Sequence, residues 1–196
     1  TTLRWEKLRN WPAGSRNSKH RLNEILCKMT NSMPDQTINE ATDTLHIRTA
    51  DYASPDDRQD ILYLLNVYAR DPMGLDSELP EKVKSRLFDE WRKVPTAFSM
   101  LAYLDGEAVG LVNAFYGFST FKAAPLVNIH DIVVLEKVRG RNIGYKLLEA
   151  LQAKAEENGC CKITLEVRDD NPARRLYERF GFSDEEPPMR FWTKEL

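Results

Sequence analysis

The chain has 196 residues, three cysteines and a formal net charge of −2, with 42% hydrophobic and 30% charged residues. This length fits one domain with a tail and can bury a core without disulfide or metal staples, while the near-neutral charge gives no case for nucleic acid or an anionic membrane. No apolar run reaches the roughly 18 residues of a membrane span; adjacent Cys160 and Cys161 and an odd cysteine count fit a reducing, cytoplasmic setting; and His20, His46 and His130 are too scattered to imply a metal site.

Residues 1–44 differ from the rest. Thr1–Lys28 carries seven Lys/Arg against two Asp/Glu and lacks sustained periodicity, although Leu22, Ile25 and Leu26 have the spacing of a short amphipathic helix. Polar residues and Pro34 then read as a linker. A loosely attached extension, an Arg-rich targeting peptide and a partner-binding arm all fit this composition.

Regular patterning occupies residues 45–196. His46–Thr49 reads as a strand. Ser54-Pro55-Asp56-Asp57 is a helix start, with a capping serine, proline at the first position and an acid at the third. Ile61, Leu64, Leu65 and Tyr68 then share one helical face. A second helix is predicted from about Pro80, with Val83, Leu87 and Trp91 inward. Between the two lie Asp71, Asp76, Glu78 and Glu81.

Ala97–Leu104 and Glu107–Phe115 are β-rich runs joined by Asp105-Gly106, a hairpin turn signal. Leu126–Leu135 is a further strand. Asn142–Asn158 is an amphipathic helix with Ile143, Leu147, Leu148, Leu151 and Ala155 inward, stopped by Gly159. Cys160-Cys161, read as buried small residues, open a strand that runs over Lys162–Val167. Asn171-Pro172 caps a long helix ending at Gly181. Met189–Lys194 is a last strand. The order β-α-α-β-β-β-α-β-α-β is that of a mixed sheet with helices on its faces.

The most informative segment is Val133–Leu148, VVLEKVRGRNIGYKLL. A buried strand passes into a helix through Arg139-Gly140-Arg141-Asn142-Ile143-Gly144. The unpaired N–H groups and partial positive charge of a helix start bind anions. Gly140 and Gly144 allow close approach, and Arg139 and Arg141 add cationic donors, so a di- or polyphosphate ligand is expected here. The residues after Gly144 do not match a Walker loop, and two glycines fall short of a dinucleotide fingerprint.

Strand, R-G-R-N-I-G, helix, strand, then N-P-A-R-R-L-Y-E-R-F-G-F closely resembles the core of the GNAT superfamily of N-acetyltransferases. The family's phosphate turn is usually [QR]-x-x-G-x-[GA]; Arg139 and Gly144 match its ends, and Asn142 stands where the central glycine is commonest. The resemblance covers about Leu45–Leu196. It implies an α/β (α+β) fold with a mixed, mostly antiparallel sheet, splayed central parallel strands and flanking helices.

The resemblance also implies acetyl-CoA as donor, with no metal. Ile132, Val133 and Val134 would pair with the pantetheine arm, and the amides of Arg139, Gly140, Arg141, Asn142, Ile143, Gly144 and Tyr145 would hold the pyrophosphate. Asn171 matches the position that bonds the arm or caps the following helix. Tyr177 matches the tyrosine that protonates the departing thiolate. His130, Asp131 and Glu166 are candidate bases for the amine. Alternation along a strand places His130 and Asp131 on opposite faces. Asp131 and Glu166 are read as either buried carboxylates or ion-paired ones.

Gly117–Lys122 with the following I-H-D-I-V-V is similar to the diamine acetyltransferase branch, which commonly has Glu-Asp where His130-Asp131 stand. In the family the loop between the first two helices helps form the acceptor pocket; here its four acids either draw a cationic amine or are simply solvated. The expected activity is acetyl transfer to the primary amine of a small molecule. A protein or peptide acceptor and a non-catalytic acyl-CoA-binding module are the alternatives. The resemblance also implies a homodimer, as in many members.

Overall fold

In the computed structural model, residues 44–184 and 191–195 are described. The basic stretch, its short helix and most of the linker lie outside the described residues, as do Met189 and Arg190.

The elements are β1 (Leu45–Thr49), α1 (Pro55–Arg70), α2 (Glu81–Trp91), β2 (Ala97–Leu104), β3 (Glu107–Ser119), β4 (Ala124–Val134), α3 (Ile143–Glu157), β5 (Ile163–Leu165) and α4 (Arg174–Phe180), with a 3₁₀ turn at Glu136–Val138. The strands lie in sequence order in one sheet. Every neighbouring pair is antiparallel except β4 and β5, which run parallel. β3 is buried continuously from Ala108 to Ala114, so both of its faces are covered. The contacts divide accordingly, with α1 against β3 and β4, and α3 against β2, β3 and β4.

Local chemistry accounts for most boundaries. Ser54 Oγ accepts from the Asp57 amide at 3.3 Å, which caps α1 as its sequence predicts. The Asp57 carboxylate does not complete a capping box. It takes two bonds from Arg48 of β1, at 2.6 and 2.7 Å, and one from the Asp51 amide at 2.7 Å. Asp57 is 3% exposed, and the Arg48 guanidinium holds its carboxyl below the usual range. This clamp fixes α1 to the edge of the sheet. Asp105 and Gly106, at φ +52° and +86°, make the mirror-image turn that a two-residue hairpin requires.

α3 buries Ile143, Leu147, Leu148, Leu151 and Ala155, the face read from its periodicity. In α2 the inward stripe is rotated: Phe88 and Trp91 are buried, while Val83 is 41% exposed. The predicted long helix from Asn171 is a seven-residue α4 that starts at Arg174. Asn171 Oδ1 accepts from the Ala173 amide at 2.9 Å, which closes a local turn ahead of the helix instead of capping it. Phe191–Glu195 form no strand, so the expected last strand is absent from the described residues. Cys160 and Cys161 are free and half-buried, more open than expected, and the strand after them starts only at Ile163.

Candidate active site

β4 and β5 stay paired only over Val127–Ile129 against Ile163–Leu165. Beyond that point a cleft of about 710 Å³ opens between them, with Ile132, Val133 and Val134 on one wall and Leu165, Glu166 and Val167 on the other. The cleft runs to the turn before α3. There Gly140 and Asn142 both hold the left-handed conformation, at φ +83° and +63°, and asparagine tolerates this better than most residues.

Because Asn142 is left-handed, its side chain does not cap α3. Its Oδ1 instead accepts from Arg179 Nη2 at 3.3 Å. The first bond into the helix is Lys146 N–H to Asn142 O, at 3.1 Å. The amides of Ile143, Gly144 and Tyr145 therefore carry no acceptor among the described residues, and the helix dipole adds to their pull on an anion. Gly144 serves packing: a Cβ there would stand 2.9 Å from Leu176 Cδ2.

The cationic residues are arranged differently from the sequence expectation. Arg139 lines the cleft, but its Nε donates to Val134 O at 3.3 Å and its guanidinium lies 3.6 Å from Asp71. Arg141 is exposed and stands off the cleft lining. Arg175 and Arg179 of α4 line it instead, and Arg179 also stacks over the Tyr145 ring, 5.5 Å from its centroid. The sequence signal for these two was their spacing of four, which puts both on one helical face.

Tyr177 lies in the cleft wall and is 7% exposed. Burial, with nearby Tyr68 adding to it, pushes its phenol up to about 12. No hydrogen bond occupies its hydroxyl among the described residues, so the group is both protonated at neutral pH and open to donate. Asn171 also borders the cleft, with its side-chain oxygen spent on the local turn.

A second cavity of about 560 Å³ lies between α1, the 71–79 loop, α2 and β4. It meets the cleft at Tyr68, Met73 and His130, which line both. Asp131 lines only the second cavity and Glu166 only the cleft. His130 and Asp131 thus face one cavity, against the expectation from strand alternation. The cause is a β-bulge: Asn113 pairs with Asp131 and Ala114 with Ile129, leaving His130 as the extra residue. His130 is exposed, with its ring edge-on to Phe115 at 5.6 Å.

Glu166 is not buried, and it forms no ion pair among the described residues. It is exposed and takes bonds from Asn128 Nδ2 at 3.2 and 3.3 Å. The acidic loop is largely neutralised. Glu78 pairs with Arg70 and Lys84, Glu81 with Lys84, and Asp71 faces Arg139. The loop gives the cavity Met73, Leu75 and Leu79. Tyr68 is the site residue that sequence reasoning missed. It was legible as an inward residue of α1, but a helical face alone does not reveal that it borders two cavities. Burial raises its phenol, with Asp131 and Asp71 adding to the effect.

A mostly antiparallel sheet that splays at one parallel pair, with a phosphate-type turn at the mouth of the gap, is the architecture of an acyl-CoA-dependent transferase. Residues 61–182 match the model of the acetyltransferase (GNAT) family, and the chain belongs to that family of N-acetyltransferases. It is similar to glucosamine 6-phosphate N-acetyltransferase of Candida albicans, 27% identical over 55% of this chain and 72% of that protein. It is also similar to the [ribosomal protein bS18]-alanine N-acetyltransferase of Haemophilus influenzae, 30% identical over 52% of this chain and 73% of that one. Its fold matches that of an aminoglycoside N-acetyltransferase, AAC(6')-Iy, in complex with CoA, with TM-score 0.63 and 19% identity over 79% of this chain and 97% of the other. No helix among the described residues is long and apolar enough to cross a membrane.

Proposed function

We propose that this protein transfers acetyl from acetyl-CoA to the primary amine of a small molecule by direct attack. The observation that carries the proposal is the meeting of two cavities at Tyr68, Met73 and His130, with the open hydroxyl of Tyr177 on the donor side. The donor fits the cleft chemically. The amides of Ile143, Gly144 and Tyr145, with Arg175 and Arg179, receive the pyrophosphate, and the unpaired edge of β4 at Ile132–Val134 receives the pantetheine arm.

The amine nitrogen attacks the thioester carbon. A C–N bond forms, and the carbonyl π electrons move to oxygen. Main-chain N–H groups of β4 stabilise that oxyanion. Collapse breaks the C–S bond, and the thiolate takes a proton from Tyr177. The proton lost by the amine goes to a base. His130 is assigned that role over Asp131 and Glu166 because it alone of the three borders both cavities.

The test is calorimetric titration with acetyl-CoA, with ATP and NADH as comparisons, followed by an amine screen read as thiol release. Selective micromolar binding with amine-dependent thiol release is expected. Absence of acetyl-CoA binding overturns the reading.

A further inference from the structure

Three strands carry polar residues at one register position: Ser99 of β2 lies opposite Asn113 of β3, which lies opposite Asp131 of β4. Ser99 and Asn113 are fully buried. Buried polar groups are retained only with partners, and these form a chain. Ser99 Oγ donates to Asn113 Oδ1 at 2.7 Å, and Asn113 Nδ2 donates to Asp131 Oδ2 at 2.9 Å. Tyr52 OH lies 2.9 Å from Ser99 Oγ. Ser99 spends its one proton on Asn113, so Tyr52 is the donor to Ser99. The direction is thereby set from end to end. It delivers an N–H to Asp131 Oδ2, which orients the carboxylate without neutralising it. Asp131 Oδ1 has no partner among the described residues.

Besides Asp131, Tyr68, His130 and Glu90, most of the cavity lining is apolar, with Leu65, Leu75, Leu79, Leu87, Trp91 and Val94 among it. Among the described residues no lysine or arginine lines the cavity. The other acid there, Glu90, has one oxygen on Arg86 and the other on Lys93. Asp131 is therefore the one lining carboxylate that no cation of the protein satisfies among the described residues, and a partly buried carboxylate of this kind attracts a cation.

We infer that the cavity takes a monoamine with a hydrophobic body, its ammonium received by Asp131 and its alkyl or aryl part held by the leucines and Trp91. The inference rests on the acetyltransferase reading above and names its acceptor class. Asn113 and Ser99 act as positioning residues, through Asp131. Beyond Asp131 a second cation of the acceptor would meet apolar side chains or Glu90, whose oxygens already serve Arg86 and Lys93, so diamines are disfavoured.

The test is a homologous series from butylamine to octylamine, with 2-phenylethylamine, and with 1,6-diaminohexane as the counterpart of hexylamine, each read as thiol release. kcat/KM is expected to climb about three- to fivefold per methylene, with hexylamine at least tenfold above the diamine. A flat series, or preference for the diamine, for glucosamine 6-phosphate or for a peptide amino terminus, overturns the acceptor class while leaving acetyl transfer standing. Failure to bind acetyl-CoA, measured in parallel, overturns the acetyltransferase reading and this inference with it.

Asp131→Asn should raise KM for hexylamine at least tenfold with acetyl-CoA affinity unchanged. Ser99→Ala, which removes one hydroxyl from the chain, should raise KM several-fold with a smaller effect on kcat. An unchanged KM in a folded Ser99→Ala protein removes the positioning role.

Discussion

The Leu176 side chain of α4 occupies the space into which a Cβ on Gly144 of α3 would project, at 2.9 Å. The glycine thus sets how closely the helix bearing the turn amides approaches the helix bearing Tyr177. Gly144→Ala should displace the Leu176 side chain, an overpacking cost of about 1–3 kcal/mol offset in part by the roughly 1 kcal/mol that alanine gains over glycine within a helix, for a net loss of up to about 2 kcal/mol. Urea unfolding measures this, and an unchanged midpoint would show that Leu176 has room to rotate away.

Tyr177→Phe tests the proposed acid. Loss of a positioned proton donor lowers turnover by about 10²–10⁴-fold, while acetyl-CoA affinity should hold within a few-fold because the ring remains. Stability carries a second signature. The folded-state phenol is raised to about 12 against a reference near 10. The folded state keeps its proton where the unfolded chain has lost its own. This stabilisation is complete below pH 10 and disappears as pH rises through 12. The melting temperature of Tyr177→Phe should therefore fall less steeply than wild type over that interval.

The Arg48–Asp57 clamp makes an acid-side prediction. The folded carboxyl is held below its ordinary value, so its stabilisation is present above the unfolded pKa near 4 and is lost as pH falls through the folded one. Asp57→Asn should cost about 2–4 kcal/mol at pH 7, because Arg48 loses its bidentate partner. It should also flatten the acid limb of the stability profile. Equal losses at pH 7 and at pH 2 would show that packing, not charge, accounts for the effect.

Arg179 is the better probe of phosphate binding than Arg139, whose guanidinium already faces Asp71. Arg179→Ala removes a cleft-lining cation and releases Asn142. The Kd for acetyl-CoA should rise tenfold or more, with a weaker dependence on salt. A Kd and salt slope equal to wild type would move the pyrophosphate away from α4.

The parts that sequence disclosed are those written into one segment. The α3 stripe from Ile143 to Ala155, the Asp105-Gly106 turn and the glycine turn before α3 depend on neighbours within a few residues. What stayed hidden depends on partners far along the chain. His130 and Asp131 face one cavity because β3 and β4 slip by one residue, and no alternation within β4 alone records that slip. Arg139 is drawn to Asp71, and Asn128 to Glu166, across long sequence separations. Ser99 and Asn113 lie within apolar strands, and only the register of three strands shows that they form a line to Asp131.

A sheet of five strands has two rims, and this one has a third inside it. Past Ile129, β4 keeps β3 on one side and faces the cleft on the other. A rim at the flank of a sheet invites other chains to pair with it; this one admits only a ligand slender enough to slide between two strands. In the proposed reading the pantetheine arm would meet main-chain atoms of β4, which survive every substitution of the β4 side chains other than proline. The second cavity has a different character, since side chains make up most of its walls. Drift confined to the β4 side chains would therefore spare that part of donor recognition, whereas drift around the second cavity would rewrite the choice of acceptor.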